Sequence, residues 1–287
     1  MILRHDIKRN LELEYPKAEG RLEKFNDRFD NNMSTGKHVN LWGFKDMHLR
    51  FATYSIVLNR NDDVRVILKY YVELGLAHFN RIISEDETVE IKVNNKIYAS
   101  SRLESKHELT SYNWWSLFKI AIIINDEYLS NELIRIFKVA KFNDSQDKFW
   151  NNICQYSLSL YIKNQSNEKL YLSIVEDANS GMVQYHGLNE SKIIYSEDSK
   201  YRRSKISLPI IELQKLIFER QDDLFNEKLC EYLEFKKAWT IKKKEQDNSS
   251  YWIDYSVLYC CILAKKNGVH IQHESEYIPE AIINQKF

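Results

Sequence analysis

Glycine and proline are both scarce, seven and three among 287 residues. Sandwiches and barrels need turn residues at nearly every strand connection, and dinucleotide-binding folds need glycines at the phosphate loop. The shortage favours helices joined by short polar loops. There is no excess charge of either sign, since 41 lysines and arginines meet 41 aspartates and glutamates. That removes the broad basic field of a nucleic-acid binder, so no direct nucleic-acid binding is expected. The four cysteines, Cys154, Cys230, Cys260 and Cys261, lack metal-type spacing. The adjacent pair lies in an apolar run and reads as small buried thiols in a reducing compartment. Long hydrophobic runs are missing too. "MILRHDIKRNLELEYPK" has no signal-peptide core, and stretches such as Val257 to Ala264 fall short of the roughly 18 residues of a membrane span. The expectation is a cytoplasmic protein with no membrane attachment.

Catalytic signatures are absent as well. No G-x-x-x-x-G-K-[ST], G-x-G-x-x-G or G-x-S-x-G occurs. His5-Asp6 is similar to the metal-binding pair of helical phosphohydrolases, but the histidine such a site needs upstream is missing. His107-Glu108 lacks the second histidine of a zincin helix. His270 and His273 stand beside Glu274, yet follow a helix stop and have no third cluster to join. No catalytic, cofactor or metal residue is assigned, and the expectation is a protein that is not an enzyme.

What is present is helical periodicity. Leu49, Ala52, Ile56 and Val57 line one face, and Val64, Ile67, Tyr71, Leu74 and His78 another, which predicts an antiparallel helix pair. The run from Trp114 to Ile124 is apolar nearly all round and should be central. "LFNEKLCEYLEFKKAW" buries Phe225, Leu229, Tyr232, Leu233 and Trp239 on one face. Ser207-Leu-Pro209 reads as a helix start and Pro16 as a helix breaker. The stretch 180–206 reads as a loop. Against this background "TVEIKVNNKIYAS" alternates: Val89, Ile91 and Val93, then a turn at Asn94-Asn95, then Ile97 and Ala99. It predicts a short β-hairpin near residues 88–100. No tetratricopeptide- or HEAT-type repeat is visible. The expected fold is all-α, a single multi-helix domain of packed antiparallel helices carrying that hairpin. Residues 1–40 form a charged N-terminal helical region, and residues 41–287 the body.

Charge runs are the remaining candidates. "KYRRSK" and Lys242 to Glu245 read as solvated loops. Glu85, Asp86, Glu87 and Glu90 gather at the entrance to the hairpin, where a carboxylate patch on a rigid support could dock a basic partner.

The closing residues carry a resemblance. "SYWIDYSVLYCCILAKKNG" is a core helix ended by Lys265, Lys266 and Gly268, and "VHIQHESEYIPEAII" then runs over the surface to a last turn at Pro279. The order of apolar helix, Lys266, Gly268, Ser275, Tyr277, Ile278 and Pro279 resembles the ending of the immunity protein 49 family of bacterial polymorphic toxin systems. "KIAIIINDEYLSNELIRIF" behind Trp114 and "LFNEKLCEYLEFKKAW" are similar to its earlier helices. The resemblance covers roughly residues 110–283, with lysine where the family pattern has arginine before Gly268. It implies an all-helical, cytoplasmic protein encoded beside a toxin, which binds and neutralises that cognate toxin domain without cofactor or catalysis. The toxin would act on nucleic acid or a nucleotide. In this resemblance Gly268, Ser275, Tyr277 and Pro279 are structural positions. The alternatives are an immunity family such as the one paired with PoNe nucleases, an enzyme that reverses the toxin's modification, or a helical scaffold for other partners.

Overall fold

The computed structural model describes residues 1–37, 39–143, 148–163, 166–180, 182–183, 193–194 and 197–287. It is mostly helical, as composition and periodicity predict. Its first helix, α1 (Leu11–Ser34), starts where the Asn10 side chain accepts the Leu13 amide at 3.3 Å. Pro16 does not break it. A proline in the second turn removes one hydrogen bond and crowds one carbonyl. Tertiary contacts outweigh that cost: Tyr15 is buried, packs 5.0 Å from Phe51, and lies under the Arg60 guanidinium at 4.3 Å.

Helices α2 (Leu41–Val57) and α3 (Val64–Ile83) form the expected antiparallel pair. Trp42 stacks on Phe79 and His48 on Tyr70, so the start of one helix meets the end of the other. Gly75 faces α4 (Ser111–Ile123) so closely that an added Cβ would stand 2.5 Å from Leu117. Small size, rather than backbone freedom, fixes glycine there. α4 is buried on nearly every side, and its Trp114 indole donates to the Leu133 carbonyl of α5 (Glu127–Val139) at 2.7 Å.

Around α4 pack α6 (Lys148–Lys163) and α11 (Tyr255–Lys266), with α7 (Glu168–Ser180), α9 (Leu208–Phe218) and α10 (Asp222–Lys242) outside them. Phe225, Leu229, Tyr232, Leu233 and Trp239 of α10 are all buried, as their spacing predicts. Cys154, Cys260 and Cys261 are all buried. Among the described residues no helix is long and apolar enough to cross a membrane.

The described residues of the expected loop at 180–206 are not loop but strand and helix. A two-residue pairing of β3 (Met182–Val183) with β4 (Ile193–Ile194) is followed by α8 (Glu197–Arg202), a π turn (Arg203–Ser207) and then α9. Residues 181, 184–192 and 195–196 lie outside the described residues. "KYRRSK" is therefore helical. Ser207 is not a cap, because its backbone is itself helical and its side chain caps nothing. The wider π register takes up the proline that an uninterrupted α-helix would reject.

The hairpin is present as β1 (Thr88–Val93) and β2 (Lys96–Ser101), with Asn94 and Asn95 at φ +50° and +61°. Both central residues of a two-residue primed turn need positive φ, which asparagine tolerates. Its phase differs from the expected alternation in β2. Val93 pairs with Lys96 and Ile91 with Tyr98, so the inward face continues through Tyr98 while Ile97 and Ala99 point to solvent.

Candidate partner interface

The hairpin rests on a small aromatic core separate from the main one, in which Phe29 meets Tyr98 at 5.5 Å and Tyr70 at 6.2 Å. Polar ties hold it from three sides. The buried Arg81 donates to the carbonyls of Ser101 (2.7 Å) and Val39 (3.2 Å). Asp30 accepts from the Tyr98 hydroxyl at 2.7 Å and from Lys96 at 2.6 Å. Burial alone would raise the Asp30 carboxyl, but these two donors outweigh it and hold it below the usual carboxylate range. At the tip, the Asn94 amide donates to Glu73 at 2.7 Å. A two-stranded hairpin is marginal alone, so these contacts make it a fixed platform.

Glu85, Asp86, Glu87 and Glu90 all stand exposed on this platform. Among the described residues none of their carboxylates lies in an ion pair. Arg102 reaches only the main-chain carbonyl of Glu85. Glu90 pairs with Ala99 and Lys92 with Ile97, which places these four residues on the outward face. Ile97 is 68% exposed there, and Tyr128 of α5, 61% exposed, has the Lys92 ammonium 5.7 Å from its ring. The outward face thus carries Glu90, Lys92 and the exposed Ile97, with Tyr128 beside Lys92, and Glu85, Asp86 and Glu87 precede it at the base of β1. Tyr128 was missed in the sequence because its helix reads simply as amphipathic. Ile97 is hidden in the sequence because simple alternation places it inward, whereas the register turns it out.

The closing segment has a different character. Gly268 ends α11 at φ +77°, with its amide on the Lys265 carbonyl at 3.0 Å. Pro279, at φ −54°, caps α12 (Glu280–Ile283). Tyr277 is fully buried: its hydroxyl meets His5 Nδ1 at 2.8 Å, and its carbonyl accepts the Asp254 amide at 3.1 Å. The Ser275 hydroxyl accepts the Tyr277 amide at 3.2 Å. The segment does not simply run over the surface. Val269, Ser275 and Ile278 are buried, and Ile2 pairs in parallel with Ser275. These motif positions are core and cap positions, and His5 is a core partner of Tyr277.

Asp254 is the polar centre of this end. Its Oδ1 accepts the amides of Ser256 and Val257, both at 3.1 Å, as the cap of α11. Its Oδ2 accepts Lys236 at 2.5 Å and the Tyr232 hydroxyl at 3.2 Å. Burial pushes this carboxyl up, but the charge and hydrogen bond of Lys236 pull it down further, below the ordinary range.

His270 and His273 line a cleft of about 570 Å³ beside this segment. Among the described residues no group of three or more His, Cys, Asp and Glu side chains could hold a metal ion. Neither a curated protein nor a solved structure matches the chain significantly. The sequence model of the family described as Immunity protein 49 matches residues 59–282, from the end of α2 into α12, taking in both the hairpin and the closing segment. So extensive a match means that this chain belongs to the Immunity protein 49 family.

Proposed function

We propose that the chain binds a cognate toxin domain encoded nearby and neutralises it in the cytoplasm by occupying its surface, without chemistry of its own. Family membership implies an immunity protein of a toxin system. The hairpin supports the docking site: exposed carboxylates at Glu85, Asp86 and Glu87 at its entrance, and Glu90 on the outward face that also carries the exposed Ile97. A toxin that handles nucleic acid or nucleotides must present cations to phosphate, so an acidic, preorganised face is its electrostatic complement. Apolar side chains surrounded by charge match the usual division of an interface into central anchors and a steering rim.

The single observation that carries this reading is the exposed carboxylate run, without an ion pair among the described residues, at the entrance to a pinned hairpin. Co-expression with the neighbouring toxin gene, scoring survival and co-purification together, tests the function. Survival with a stoichiometric complex supports binding, survival without one points to enzymatic reversal, and no survival removes the assignment to that toxin. Reversing all four charges to lysine tests the face. Association at low salt should slow by about tenfold or more, with a smaller difference at high salt. An unchanged rate takes the acidic run out of the interface.

A further inference from the structure

A second cleft, of about 220 Å³, lies between α4, α6, α10 and the π turn. Its walls are aromatic. Tyr112 and Trp150 meet edge to face at 4.7 Å, Trp115 lies 5.4 Å from the Lys119 ammonium, and Tyr251 lies 5.6 Å from that of Lys236. Tyr112, Trp115 and Lys119 fall on one face of α4 by their three- and four-residue steps. The π turn contributes Ile206 and Ser207, and such turns recur at functional sites because they re-aim side chains within a helix.

Among the described residues the charges of Lys119 and Lys236 are not both matched. Lys236 takes one oxygen of Asp254, and the other is occupied by the α11 amides. Lys119 rests on the Ser256 hydroxyl at 2.6 Å, and among the described residues no carboxylate comes within ion-pair distance of it. Two ammonium groups thus line an aromatic cavity, and the saturated carboxylate of Asp254 pairs with only one of them. Burial lowers Lys119 to about 8, which still leaves it charged at neutral pH. An uncompensated cation in such a place is costly unless water or an anion completes it. The cavity is smaller than the roughly 300–1,000 Å³ of sites for drug-sized molecules, which limits it to one ring.

We propose that this cleft binds a small anion carried on a single aromatic ring, an aryl phosphate or carboxylate, with Lys119 holding the anionic group and Trp115 and Trp150 flanking the ring. The inference stands independently of the docking face on the hairpin. Tryptophan fluorescence and calorimetric titration of the full chain with phenyl phosphate, benzoate, inorganic phosphate and phenol test it. Phenyl phosphate or benzoate should saturate, and the stronger of the two names the anionic group. Either should bind about tenfold or more tightly than phosphate or phenol alone, because each of those supplies only half of the contacts. Lys119→Met should weaken the aryl anion by about tenfold or more while the melting temperature is kept. Three results overturn the proposal: no saturable binding of either aryl anion, inorganic phosphate binding as tightly as phenyl phosphate, or unchanged affinity in the folded variant. If Lys119→Met does not fold, the wild-type comparison of the four probes decides alone.

Discussion

The buried pair of Lys236 and Asp254 gives the sharpest test of what holds the closing segment. Asp254→Ala removes three things together: a cap accepting two α11 amides, the acceptor of the Tyr232 hydroxyl, and the counter-charge of a lysine only 7% exposed. Losing a cap costs about 1 kcal/mol. Leaving a buried charge without its partner costs about 3–5 kcal/mol. The sum, roughly 4–6 kcal/mol, approaches the whole stability of many domains. Asp254→Asn keeps the cap, since asparagine caps well, and should lose only the electrostatic part. Lys236→Met should cost a similar amount alone. Combined with Asp254→Asn it should restore most of the loss, because a buried ion pair replaced by neutral groups is often nearly neutral. Urea unfolding followed by tryptophan fluorescence and circular dichroism measures all four corners of the cycle. The pH dependence carries the same signature. A carboxyl lowered in the folded state stabilises fully above its unfolded pKa, and that stability is lost as pH falls through the lower, folded value. Asp254→Asn should flatten the acid limb. Single variants each costing under about 1 kcal/mol, or a double variant with no rescue, would refute the reasoning.

Other consequences are direct. His48 is buried neutral, with Nδ1 3.0 Å from the Phe44 carbonyl and its pKa lowered by burial from 6.5 to about 4. Stability should therefore fall as pH drops from 6.5 towards 4, by about 3 kcal/mol at the lower end, and His48→Gln should lose that slope in a pH series of urea midpoints. Ile97→Ala and Tyr128→Ala should each weaken the toxin complex by about 1–3 kcal/mol while leaving the melting temperature within a degree or two, as judged by calorimetric titration and thermal scans. Phe29→Ala should cost about 3–5 kcal/mol and speed amide exchange in β1 and β2 selectively, read by hydrogen-exchange mass spectrometry.

The sequence shows its local structure well and its long-range structure poorly. The hairpin is legible because its devices are adjacent: alternation, then two asparagines able to take positive φ. The reading slips where one step depends on the turn. A two-residue turn makes odd positions of β1 face even positions of β2, which puts Tyr98 inside and Ile97 outside. Pro16 misleads because propensity is a local prior, and the packing of Tyr15 on Phe51 is not local. The bond between His5 and Tyr277 joins the two ends of the sequence and leaves no periodic trace. Of the proposed interface, the carboxylates are visible as a run, whereas Tyr128 meets Lys92 of the hairpin only in three dimensions. Lys119 did leave a signal: a lysine inside a helix as apolar as α4 asks what its charge is for.

The two cores divide the work of the fold. The main core fixes α4 and α11, and through Asp254 and Tyr277 it ties down the closing segment, so Ser275, Tyr277 and Ile278 are buried while Lys266 and Gly268 beside them stay exposed. The smaller core fixes the hairpin, and much of it comes from Phe29, Met33, Val39 and Phe44, which precede the family match at residue 59. A face held by side chains outside the matched segment can change its tilt and rigidity without disturbing the helices that the family shares. Partner choice needs that separation. Under the proposed docking, an inhibitor that must follow one toxin has to alter its contact surface while keeping its fold, and a hairpin with its own small core allows substitution there at little cost to the main core.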